Sequence, residues 1–169
     1  MNDKALHDAT IPVFTLFLEN LRGILKEGKR HMKRRKMREE ACITARLAPD
    51  MYTLTQQVGY AYFMALEAAT VLGVKNMPTF TYNEKSFKEL DASLARAVAF
   101  LKTVRPRDFK KSERMRVKTF LAPTKRFSRE AYVYTLALPN FFFHVTTAYD
   151  IFRNQGVPLK KEHYLGTSR

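Results

Sequence analysis

Four polar residues, Asp50, Gln57, Asn140 and His144, lie on or beside apolar stripes that should be buried. At 100° per residue, Asn140, His144, Ala148 and Ile151 fall on one side of a helix near Phe141, and Phe142, Thr146, Asp150 and Arg153 fall on the other. In the same projection Asp50, Leu54, Gln57 and Ala61 share a face bordering Val58, Ala65 and Leu72, with Tyr52, Gln56 and Glu67 opposite. Two helices would thus aim a carboxylate, two amides and an imidazole toward a common interior. The chemistry open to that set is proton transfer. His144 would carry the proton and Asp50 would orient or charge it, provided the two come within hydrogen-bond reach. Gln57 and Asn140 would complete the wall of a pocket for a small-molecule ligand.

Each of the four also has a purely structural reading. Asp50 follows Pro49, and a helix N-terminus favours a carboxylate for its charge alone. Gln57 fits the rim of a core, and a single inward histidine more often satisfies a core hydrogen bond than binds a ligand. Asn140 follows Pro139, whose ring leaves the carbonyl of Thr135 without its helical partner, so the amide is placed to mend a kink. Other chemistries lack their residues. A catalytic zinc needs about three protein ligands, yet His7, His31 and His163 are scattered over the N-terminus, a basic turn and the tail. Cys42 has no histidine beside it in sequence, and the six glycines are too dispersed for a phosphate loop.

The elements that would position these residues are helices. Ile11, Phe14, Phe17, Leu18, Leu21 and Leu25 give a first helix over 5–33. A short helical stretch at 39–47 is interrupted by Pro49, and a second long helix covers 50–72, closed by Gly73 in the left-handed conformation. Residues 74–84 read as an extended connection. Ser86 and Glu89 have capping-box spacing ahead of a stripe of Phe87, Leu90, Leu94, Val98 and Leu101, giving a third helix to about residue 104. Period-two alternation over 114–120, a turn at 122–124 and Lys125-Arg126-Phe127 predict a small β-hairpin. Ser128 caps a fourth helix that runs to 155. The fold class is all-α, a four-helix bundle in one domain over 1–169, with the hairpin inserted before the last long helix.

The chain has 169 residues, enough for one domain to bury roughly 70% of its unfolded surface. It carries 30 Lys and Arg against 16 Asp and Glu, a net charge of +14. The excess is clustered: residues 26–38 hold eight cations against Glu27, and 105–129 hold ten against Asp108 and Glu113. Together they would give a face for nucleic acid or another polyanion, with affinity that falls steeply as salt rises. The run at 29–36 reads as a nuclear-import signal or as a solvated helix end, where cations complement the dipole. One cysteine fits a reducing, cytoplasmic compartment, and no run is long and apolar enough to span a bilayer.

Three stretches resemble a known family. Ala45-Arg46-Leu47-Ala48-Pro49-Asp50-Met51 with Gln57-Val58, then Leu138-Pro139-Asn140-Phe141-Phe142-Phe143-His144-Val145-Thr146-Thr147-Ala148-Tyr149, and Gly156-Val157 through Tyr164-Leu165-Gly166 are similar to the domain-of-unknown-function family nineteen ninety-three. That family resembles the DinB/YfiT-like metalloenzyme superfamily. The resemblance implies a four-helix bundle, often paired as a homodimer, with nickel or zinc held by a histidine of helix two and a His-x-x-x-His pair of helix four. Some members of the superfamily act as thiol transferases or isomerases. Counting back from Phe152-Arg153-Asn154-Gln155-Gly156 puts His144 on the second histidine of the pair and Asn140 on the first, and helix two has no histidine. The resemblance therefore implies a degenerate relative of the metal-dependent enzymes, or a divalent-metal enzyme with an atypical ligand set.

Overall fold

A computed structural model of the chain describes residues 2–109, 115–116 and 124–167, with residues 115–116 as backbone alone. The first helix, α1, spans Asp3–Arg34, with the Asn2 side chain accepting the Ala5 N–H at 2.8 Å. Its cationic last turn leads to the short α2, Glu39–Ile43. The chain then doubles back: Leu54 N–H donates to Ala45 O at 2.8 Å, and Arg46 pairs with Thr53. This reversal holds Asp50 in a turn. The second long helix, α3, begins only at Leu54 and runs to Val71, behind a Thr53–Gln56 capping box. The expected start at 50 is thus corrected: the chain needs residues 45–53 to turn before helix can begin. Gly73 takes φ 111°, as the cap requires.

Helix α4 spans Phe87–Leu101. Ser86 accepts the Glu89 N–H at 3.2 Å, while the Glu89 carboxylate takes the Lys85 N–H at 2.8 Å, so the expected box is shared between two residues. Strand β1, Met115–Arg116, pairs antiparallel with β2, Arg126–Phe127. The expected turn at 122–124 lies largely outside the described residues. Helix α5, Arg129–Tyr132, continues through a π-helical turn, Val133–Ala137, into α6, Leu138–Asn154, and α7 is Lys161–Leu165. The π turn answers Pro139. The helix widens so that Leu138 N–H reaches Val133 O, and Asn140 donates its side-chain N–H to Met64 Sδ at 2.7 Å rather than mending the kink.

Pairwise contacts fix the topology. Gln57 faces His144 and Met64 faces Asn140, so α3 and α6 run antiparallel. Phe14 meets Phe141 and Gly28 meets Phe152, so α1 and α6 run parallel. Arg22 pairs with Asp91 and His7 with the Val104 carbonyl, so α4 opposes α1. The order is up, down, down, up. Successive parallel helices need a crossover, and residues between α3 and α4 supply it along the bundle. The Glu84 carboxylate pins that connection, accepting from Tyr62 Oη at 2.7 Å and Ser93 Oγ at 2.5 Å. A continuous apolar core, including Phe14, Leu18, Leu21, Leu66, Leu94, Phe141 and Phe152, fills the bundle.

Candidate functional site

Helices α3 and α6 splay around a cavity of about 590 Å³. All four residues singled out from the sequence line it: Asp50, Gln57, Asn140 and His144. His144 and Gln57 form its buried polar centre, 6% and 1% exposed. The His144 Nδ1 to Gln57 Oε1 distance is 2.7 Å. An amide oxygen only accepts, so Nδ1 carries the proton and Nε2 keeps its lone pair, with no partner among the described residues. Burial pushes the imidazole down from 6.5 to about 4, so it is neutral at physiological pH. Tyr60 stacks on His144 with centroids 5.1 Å apart, and Tyr52 stacks on Tyr60 at 4.7 Å. The Tyr52 hydroxyl, followed by burial, holds the Tyr60 phenol above its ordinary range, so that group stays protonated.

The expected pairing of Asp50 with His144 does not form. Asp50 is exposed at the tip of the 45–54 reversal and lines the cavity's edge, while Gln57 takes the orienting place. An amide there fixes the tautomer but brings no negative charge to stabilise an imidazolium, unlike the carboxylate of a catalytic triad. Tyr52 and Glu67, expected on the far side of the helix, line the cavity instead. Gln57, Tyr60, Met64 and Glu67 recur at three- and four-residue steps, and with Phe63 they cover about a third of the α3 circumference. The opposite wall comes from Tyr132, Leu136, Ala137, Asn140, Phe143 and His144. Glu67 is half-buried, and burial raises its carboxyl above the usual range.

The residues present do not fit the superfamily's metal. Position 140 holds an amide engaged with Met64, and α3 offers the amide of Gln57. Among the described residues no three His, Cys, Asp or Glu side chains converge to hold an ion. Nickel and zinc favour imidazole and thiolate ligands, and here the cavity offers one imidazole beside two amides, with the carboxylates of Asp50 and Glu67 not converging on it. Cys42 is fully buried in the core, away from the cavity lining.

The described parts of the two basic segments lie at opposite ends of the bundle. The cations of 26–38 lie at the C-terminal end of α1 and beyond it. Val104 and Phe109 pack against His7, and Arg129 pairs with Asp3 at 2.6 Å, so the described parts of 105–129 lie at the other end. About 40 Å of helix separates them. Among the described residues no helix is long and apolar enough to cross a membrane.

A predominantly helical bundle in this order has a DinB-like fold. The solved structure of a DinB family member from Shewanella denitrificans is similar, with a TM-score of 0.90 and 27% identity over 97% of this chain and 93% of that one. The family model described as Domain of unknown function (DUF1993) matches residues 6–165, and the chain belongs to that family. No curated protein matches it.

Proposed function

We propose that this protein binds a small organic molecule between α3 and α6, and that His144 Nε2 receives a hydrogen bond from it. The observation that carries this reading is the 2.7 Å contact from His144 Nδ1 to Gln57 Oε1 inside an aromatic-walled cavity. It presents a neutral imidazole with a fixed lone pair to a space large enough for a metabolite-sized ligand. Hydroxyl, amide, amine and thiol groups all donate to such an acceptor. With an amide behind it and little water around it, His144 is a weak base, which favours recognition over proton-transfer catalysis. The same donor set supports a role without the tightly held nickel or zinc of the thiol transferases.

Two measurements on protein purified without chelators test this. Elemental analysis should find no stoichiometric nickel or zinc. A fragment screen followed by NMR should find compounds that shift the ring signals of His144 and Tyr60 in the intact chain and lose affinity in His144→Ala. Stoichiometric metal that disappears on His144→Ala would overturn the reading, as would fragments that never touch those rings.

A further inference from the structure

We infer that the cavity's ligand is an organic cation, an amine or quaternary ammonium with an apolar body, whose charge sits against Glu67 and Phe63. This rests on the small-molecule reading above and adds the ligand's charge. More than one residue in six of the chain is Lys or Arg, yet none of the described residues lining the cavity is. The charged groups there are two carboxylates, Asp50 at the edge and Glu67 along the wall. An anionic ligand would lose its hydration and gain no counter-charge. A cation would gain one, and a half-buried carboxylate without a partner is a costly thing for the protein to keep otherwise.

Glu67 is in that position. Among the described residues no cation and no hydrogen-bond donor engages it, and its charge is felt by Tyr132 and Tyr82, whose phenols are held up first by burial and then by nearby carboxylate. The rings beside it suit the same ligand. Phe63 lines the cavity one helical turn from Glu67 and Phe143 lines it nearer His144, whereas Tyr132 is fully buried in the wall behind. Aromatic faces attract ammonium groups, most strongly where water is excluded. Tyr60 plays no such part, because Tyr52 and His144 cover its faces. Along α3, Gln57 and Glu67 lie about 15 Å apart, so a ligand reaching both His144 and Glu67 is elongated. The overall charge of +14 repels free cations, so any cation that binds is held by local structure.

The test uses the intact chain and three probes sharing one ring: benzyltrimethylammonium, benzyl alcohol and benzoate, titrated by calorimetry and followed by NMR at Phe63, Phe143 and His144. Benzyltrimethylammonium should bind about tenfold more tightly than benzyl alcohol, with benzoate weakest. Glu67→Gln should remove most of that preference while changing benzyl alcohol affinity less than about twofold, and Glu67→Asp, which keeps the charge, should retain it. If the neutral or anionic probe binds these residues as well as the cation does, or if Glu67→Gln leaves the preference intact, the cation assignment falls and the cavity reading stands. If none of the three shifts those signals, both fall.

Discussion

A buried neutral histidine makes stability depend on pH in a predictable window, and His144 is that residue. Its native form resists protonation down to about pH 4, while in the unfolded chain it titrates near 6.5. Between those values the unfolded state binds the extra proton, so stability falls as pH drops. The contribution is fully present above 6.5, is lost progressively toward 4, and changes no further below. The difference corresponds to about 3 kcal/mol, reduced to about 2 because one side of the ring borders the cavity. His144→Asn removes the titrating group. Urea unfolding of both proteins at intervals from pH 7.5 to 4 gives the comparison, and the difference between the two profiles isolates His144. His31, held down by burial and then by Arg34 and Arg35, titrates in both and cancels. The wild type should lose about 2 kcal/mol more than His144→Asn across the window. Parallel profiles would refute the reasoning.

Three further outcomes follow from named contacts. Gln57→Glu places a carboxylate behind the imidazole, raises its proton affinity about ten- to a thousandfold, and should flatten the same pH profile between 6.5 and 4. Gly28→Ala should destabilise the fold by about 1–3 kcal/mol in urea titration, because the added methyl meets the buried Phe152 ring, which has no room to swing away. Cys42 is fully buried and its thiol is pushed up to about 12, so a disulfide reagent should label it slowly in the native protein and completely in denaturant. Fast native labelling would place that thiol at the surface.

The bundle was legible because its signals are local. The apolar stripes of α1 and α4, the caps at Ser86 and Ser128 and the stop at Gly73 each follow from residue type and spacing, and each is found where spacing puts it. The inward aim of His144 followed from the same periodicity. What periodicity does not encode is the distance between helices. A helical projection places Glu67 behind the apolar sector of α3, yet the cavity between α3 and α6 reaches around to it. Tyr52 and Asp50 were projected onto a helix that has not yet begun there, because the pairing of Arg46 with Thr53 is a reversal with no strong turn dipeptide to announce it. Gln57 read as a rim residue because its partner lies 87 positions away. Pro139 announced a distortion but not its form, since a π turn and a kink leave the same mark in sequence.

The most direct measurement is a long-range nitrogen–proton NMR spectrum of the His144 ring in the intact wild-type chain, recorded from pH 7.5 down to 4.5. A neutral ring with the proton on Nδ1 and a bare Nε2, unchanged to about pH 5, is the expected result. A ring that protonates near 6.5, or one carrying its proton on Nε2 at neutral pH, would contradict the acceptor site on which ligand recognition here depends.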